Sequence, residues 1–223
     1  MKIYGVPLSV HTRKVIVAAR LKGIPFELEI VIPVIPNSPP SNWREISPTG
    51  LIPAIEDKGF RLADSTAIVC YLERTQSEPA LLPANDKEFC AALSLDAWAG
   101  SELFRNVIHP IFHNQIVAPK IRNAPGNQAV IDAAKNKAAP EAFAYLESLH
   151  PDGYLVGDRL TIADIAVVSN LILFHYLGYR IEPRFPKLNA YFRRHIEVPA
   201  LSAALAEERP FVDQMGLDRS FIH

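Results

Sequence analysis

Residues 2–32 read KIYGVPLSVHTRKVIVAARLKGIPFELEIVI. The first three, KIY, suit a short strand that ends at Gly5 and Pro7. From Val10 to Lys22 the pattern is helical, and Gly23 then Pro25 stop it. In FELEIVI, Phe26, Leu28, Ile30 and Ile32 alternate with Glu27 and Glu29, the period of a half-buried strand. Strand, helix and strand within so few residues make a βαβ unit, so the first two strands should run parallel. Working outward, PVIPNSPPS at 33–41 is irregular or polyproline-like, because its four prolines remove donors and restrict their predecessors. LIPAIE (51–56) and FRLAD (60–64) then form two short strands about the turn Asp57, Lys58 and Gly59. A helix over Ser65–Thr75 completes a βαβ-ββα layer.

The texture changes after residue 77. A proline-punctuated linker occupies 78–85, and beyond it no strand pattern is found. Helical blocks are expected at 86–118, 126–149, 161–177, 186–196 and 199–208. In the third, Ile162, Ile165, Ala166, Ser169, Ile172, Leu173 and Tyr176 give a wide apolar face. The expected organisation is an α/β domain over 1–77 and an all-α domain over 86–223.

Lys plus Arg number 23 against 24 for Asp plus Glu, a balance that argues against a general nucleic-acid or anionic-membrane binder. Cys70 and Cys90 lack metal-type spacing and build no disulfide framework, which fits a reducing cytoplasmic setting. The apolar run IADIAVVSNLILF is interrupted by Asp164, Ser169 and Asn170 and is too short to span a bilayer.

Several constellations invite a chemical reading. Thr161 with Asp164 three residues on is a capping box, which marks where a core helix begins. Asp64-Ser65 sits between a strand and a helix. It reads as an ordinary cap, or as a site for a zwitterionic head group: the first helix amides and the Ser65 hydroxyl for a carboxylate, Asp64 for an ammonium. Ile52-Pro53 opens a strand; composition favours a trans bond, whereas a cis bond would offer the Ile52 backbone to an extended peptide. His109 and His113 have helical metal-pair spacing, but Pro110 intervenes and no third ligand follows, so no metal is expected. Ser9 lacks the G-x-S-x-G turn of a serine nucleophile, and no glycine-rich phosphate loop is present.

Four segments in this order, YGVPLSVHTRKV, SPTGLIPAIED, ADSTAIVCYLE and GDRLTIADIAV, give the chain a resemblance to cytosolic glutathione transferases over almost its whole length. The first segment is most similar to the serine-type classes, phi-like, theta-like and bacterial. The resemblance implies a thioredoxin-like N-terminal domain, a helical C-terminal domain, a homodimer and a detoxifying role in the cytoplasm. It implies glutathione as cosubstrate and a small electrophile as acceptor, with no metal. Ser9 would hydrogen-bond the glutathione sulfur, Ile52 would pair with the cysteinyl part beside a cis bond to Pro53, and Asp64 and Ser65 would hold the γ-glutamyl head. Val6, Leu8, Phe104, Ile108 and Phe112 would wall an apolar acceptor pocket or belong to the core.

Two departures stand out. Serine-type relatives often place basic or polar groups after the second strand for the glycine carboxylate. NSPPSNW (37–43) has no Lys, Arg or His, and Leu51 replaces a common polar residue. Besides conjugation, the alternatives are a glutathione-dependent peroxidase or isomerase and a non-catalytic binding or assembly module.

Overall fold

The computed structural model describes residues 1–149 and 151–222. Strand β1 (Lys2–Gly5) leads through helix α1 (Val10–Leu21) to β2 (Glu27–Ile30), and β1 and β2 pair in parallel as the short crossover requires. A four-residue helix α2 (Trp43–Ile46) precedes β3 (Ala54–Asp57) and β4 (Phe60–Ala63), an antiparallel hairpin whose β3 pairs with β1. The sheet order is β2-β1-β3-β4, closed by α3 (Ser65–Thr75).

The two faces of the sheet follow from strand alternation. Ile3 and Ile55 point into the main core with Ile68, Val69 and Leu72 of α3. Tyr4 and Ala54 point the other way, into a small second cluster with Val31, Trp43 and Ile46. That cluster explains α2, which sequence periodicity does not register. Burying Trp43 and Ile46 contributes about 1.5–3 kcal/mol each, enough to hold a helix too short to form by itself. Strand β2 corrects the alternation expected over 26–32. Phe26 and Leu28 are half-buried, but Ile30 is 41% exposed and Val31 is fully buried. The strand lies at the sheet edge and ends at Ile30; the Val31 amide still reaches Gly5 O, at 3.2 Å.

The remainder is helical. Helix α4 (Asp86–Trp98) runs on without a break through a π-helical stretch Ala99–Ile108, α5 (His109–Phe112) and a second π-helical stretch His113–Ile121. Next come α6 (Gln128–Ala133), a short π-turn Ala134–Ala138, α7 (Ala139–Ser148), α8 (Ile162–Tyr176), α9 (Pro186–Ile196) and α10 (Pro199–Met215). Every residue of α8 is buried, so this helix is the axis around which the others pack. Its capping box forms: the Thr161 amide and hydroxyl donate to Asp164 Oδ2 at 2.8 and 3.0 Å. Asp164 Oδ1 also takes Leu155 N and the Tyr191 hydroxyl, both at 2.9 Å, which offsets the cost of burying the carboxylate.

Helix α10 outruns the expected end at 208 and continues through Pro210. Buried Val212 lies beyond the proline, and Gly216 at φ +60° closes the helix with amide bonds Gly216 to Asp213 O and Leu217 to Val212 O. Among the described residues no helix is long and apolar enough to cross a membrane.

Candidate active site

Strand register gathers the site. Tyr4 pairs with Ala54, and Ala54 pairs with Ala63. The loop from β1 to Ser9, the Ile52-Pro53 approach to β3 and the exit of β4 into Asp64 therefore lie at one end of the sheet. Two helices, α1 and α3, begin at that end with their amide-rich termini.

Ser9 is the N-cap of α1, with φ −69° and ψ 127°. Its Oγ accepts a long hydrogen bond from Thr12 N (3.4 Å), and its carbonyl takes the Arg13 amide at 2.8 Å. The cap uses an oxygen lone pair, so the hydroxyl proton remains available as a donor. Among the described residues the amides of Val10 and His11 have no hydrogen-bond acceptor, and they share the helix end with that hydroxyl. Gly5 is required for this turn, because a Cβ there would stand 2.5 Å from Thr12 Oγ1.

At the Ile52-Pro53 junction the peptide bond is cis, against the trans preference that composition alone suggests. Ile52 precedes β3, and neither its amide nor its carbonyl is hydrogen-bonded among the described residues. Asp64 has φ +82°, unusual for a residue with a Cβ and a common mark of a site under functional constraint. Its Oδ1 caps α3 by accepting Thr66 N (3.0 Å) and Ala67 N (2.9 Å). Of the first amides of α3, this leaves that of Ser65 without a partner among the described residues, and the hydroxyl of the largely buried Ser65 is likewise unbonded among them. The cap reading of Asp64 thus holds, and it consumes two of the amides that the sequence allots to a ligand.

The support beneath these groups was not legible in the sequence. Lys14 of α1 is buried and donates to Asp96 Oδ1 (2.6 Å) on α4 and to Thr66 Oγ1 (3.0 Å) on α3, while Thr66 Oγ1 also donates to Asp96 Oδ2. This triangle ties the start of α3 to the second domain. One residue earlier, Arg13 is wholly buried and grips Glu208 of α10 through Nε (2.5 Å) and Nη2 (2.8 Å), with Nη1 on Ser169 O (2.6 Å). Burial pushes the Glu208 carboxyl up from its usual range, and Arg13 opposes that push. The available signal was two adjacent cations placed directly before the apolar run Val15–Ala19 of the same helix.

On the second-domain side, Val6, Phe104 and Phe112 are half-buried and available as an acceptor wall, and Leu8 is nearly buried. Ile108 is fully buried and belongs to the core. The His11 ring meets Phe104 edge-on, 4.8 Å between centroids. His109 and His113 stack at 5.7 Å on the extension of α4. In the cation-free 37–43 stretch, Ser38 Oγ accepts Ile32 N (2.8 Å) and Trp43 Nε1 donates to Gly50 O (3.1 Å). The adjacent cation, Arg44, is exposed and donates through Nη1 to Pro48 O (3.0 Å).

Residues 3–80 match the N-terminal domain of glutathione S-transferase, and residues 128–194 match its C-terminal domain. A probable glutathione S-transferase GSTF1 of rice, Oryza sativa subsp. japonica, is 26% identical over 217 residues, covering 94% of this chain and 97% of its own. Glutathione S-transferase Z2 of Arabidopsis thaliana is 27% identical over 214 residues, covering 94% and 92%. Among solved structures, a glutathione S-transferase from Rhodospirillum rubrum superposes with a TM-score of 0.83 at 26% identity, over 92% of this chain and 91% of that one. With a thioredoxin-like sheet followed by a helical domain, this chain belongs to the glutathione S-transferase family and is a glutathione transferase enzyme.

Proposed function

We propose that the chain conjugates the glutathione thiolate to small, largely apolar electrophiles, with Ser9 stabilising the thiolate. The observation that carries this reading is the division of labour at Ser9: its oxygen caps α1 while its proton stays free at a helix end with two open amides. A free thiol has a pKa near ~8.5, so lowering it by about two units needs ~2.7 kcal/mol of preference for the anion. A hydrogen bond to a charged acceptor contributes about 1.5–3 kcal/mol, and a helix N-terminus about 0.3–1 kcal/mol. Ser9 with the start of α1 meets the requirement without a separate base. Ser9 is a donor to the nucleophile, never the nucleophile itself.

Glutathione would lie across the end of the sheet. The open backbone of Ile52, set by Pro53, suits pairing with the cysteinyl residue. The Ser65 amide and hydroxyl suit the γ-glutamyl carboxylate, and the second oxygen of Asp64 suits the ammonium. For the glycine carboxylate, the remaining donors of Arg44 stand nearest in sequence to the cation-free stretch 37–43. The acceptor would rest against Val6, Phe104 and Phe112. The protein is proposed to work in the cytoplasm as a homodimer, in detoxification.

The cation-free loop favours a second reading, a binding or assembly module that has lost turnover. Retention on immobilised glutathione, followed by conjugation assays, separates the two. The transferase reading expects retention and turnover, with retention sharply weakened in Asp64→Ala. Retention without turnover of any electrophile, peroxide or isomerisable substrate would favour the module. The absence of both retention and turnover would refute the glutathione site itself.

A further inference from the structure

A cavity of about 220 Å³ lies within the helical domain, lined by residues between 135 and 182 and by none of those assigned above to glutathione or its acceptor. An apolar cavity of about 150 Å³ already holds a benzene ring, so a single aromatic ring with a short polar arm fits. The floor is aromatic. Phe143 of α7 meets Phe174 of α8 edge-on, 5.2 Å between ring centroids, and Phe174 meets Tyr179 at 5.5 Å. These rings are held from outside the cavity: the Tyr179 hydroxyl donates to Gln115 Oε1 at 3.2 Å, and Phe143 packs edge-on against Phe185 at 6.1 Å. Ala139, one turn before Phe143 on α7, contributes only a methyl group to the lining, which leaves the space open.

The rim decides the ligand. Arg180 is committed to the fold: Nη1 donates to His175 O (3.0 Å) and Tyr179 O (2.7 Å), and Nη2 donates to Asp218 Oδ2 (2.6 Å) and Ser220 Oγ (2.8 Å). Glu182 is paired with Arg184 Nε at 2.9 Å. Lys135 is different. Its ammonium lies over the Tyr179 ring, 5.6 Å from the centroid, and has no carboxylate or carbonyl partner among the described residues. The side-chain amide of neighbouring Asn136 is also without a hydrogen bond among them. Both residues belong to the π-turn Ala134–Ala138, a widening of the helix often found at functional sites. An open cation and an open amide thus border an aromatic floor whose rings are already fixed.

We propose that this cavity is a binding site for a small aromatic carboxylate, separate from the site of the transferase reaction. The ligand ring packs on Phe143 and Phe174, one carboxylate oxygen accepts from Lys135 Nζ, and the other accepts from the Asn136 amide. The cation alone would suit any anion; the aromatic floor restricts the choice to an aryl group. A neutral or cationic aryl compound leaves Lys135 unpaired and is disfavoured. Because the lining is formed in advance, binding has little of the chain to order. The proposal does not depend on the transferase reading above.

Titration calorimetry with phenylacetate tests the site, with benzyl alcohol and benzylamine as the neutral and cationic probes. Wild type should bind phenylacetate more tightly than either. Lys135→Met removes a charge-assisted bond at a half-exposed rim, so it should weaken phenylacetate about 10-fold and change benzyl alcohol by less than about twofold. Lys135→Arg should restore most of the loss. Ala139→Leu fills the cavity and should abolish binding; thermal unfolding reports whether that variant folds, and the two Lys135 variants carry the test if it does not. Saturating S-hexylglutathione, which fills a glutathione site and the acceptor space beside it, should leave phenylacetate affinity unchanged. No binding by wild type, equal binding by wild type and Lys135→Met, benzylamine bound as tightly as phenylacetate, or displacement by S-hexylglutathione would overturn the site. None of these results bears on whether the chain is a transferase.

Discussion

Replacing Ser9 by alanine removes two capacities at once, and they have different readouts. The cap bond from Thr12 N is long, at 3.4 Å, so its loss should cost about 0.5–1 kcal/mol, the low end for such caps. In a chain of 223 residues that is a drop in Tm of about 1–4 °C. The donated proton is worth more. Losing about 1.5–3 kcal/mol of bonding to a thiolate raises the thiol pKa by about one to two units. Turnover well below that pKa should fall about 10- to 100-fold, because the thiolate fraction falls in step. Thiolate ultraviolet absorbance, titrated in the glutathione complex, measures the shift directly, and thermal unfolding measures the cap. Ser9→Asp separates the two: it keeps a cap acceptor but has no proton to give and sets a carboxylate beside the sulfur. Its Tm should recover while its thiol pKa rises beyond that of Ser9→Ala. An unchanged thiol pKa in Ser9→Ala, alongside the expected loss of Tm, would make Ser9 a cap and nothing more.

Three further perturbations test the frame around the site. Glu208→Ala strands the wholly buried Arg13 guanidinium and should destabilise the chain by about 3–5 kcal/mol in denaturant unfolding, with Arg13→Met added to Glu208→Leu recovering most of it. Gly50→Ala forces a side chain onto φ +72° with its Cβ 2.7 Å from the Arg44 guanidinium carbon, so a loss of about 1–3 kcal/mol is expected, only part of it relieved by Arg44→Ala. His175 stacks on Phe192 at 4.1 Å, and burial lowers its pKa to about 4 from the ordinary 6.5. Between those values the unfolded chain binds the extra proton, so the stabilisation is complete above pH 6.5 and is lost as pH falls toward 4. In His175→Phe the dependence of unfolding free energy on pH across that window should flatten by up to about 1.4 kcal/mol per pH unit, and an unchanged slope would discount His175 as its source.

How much of the fold could be read in advance depended on where the cause of each element lay. Strand β1, helix α1 and the β3–β4 hairpin are punctuated locally by Gly5, Pro7, Gly23, Pro25 and the Asp57–Gly59 turn, and they appear where that punctuation puts them. The causes of α2 and of the last turns of α10 are tertiary. Trp43 and Ile46 are helical because a second, smaller core exists behind the sheet, and α10 passes Pro210 toward a buried Val212 and a closing Gly216. The inward face of β2 fails at Ile30 because an edge strand ends when its partner does, whatever the alternation of its residues.

For the site the same distinction applies residue by residue. Ser9 and Asp64 were visible because a helix cap is a local grammar, and both act as caps with measurable bonds. Arg13 and Lys14 were not, since the carboxylates that make their burial tolerable lie 195 and 82 positions away. Their placement has a consequence for chemistry. Both sit within the first two turns of the helix that Ser9 caps, and one clamps it to α10 and α8 while the other clamps it to α3 and α4. A donor that must hold its proton toward a sulfur gains from an immobile helix end, because a hydrogen bond to an anion loses strength quickly as its geometry loosens. The buried cations thus do for the position of Ser9 what the sequence around Ser9 could not: they fix the start of α1 against the groups that begin α3, so that Ser9 and Asp64, the residues proposed for the sulfur and the γ-glutamyl head, are held by one connected set of helices.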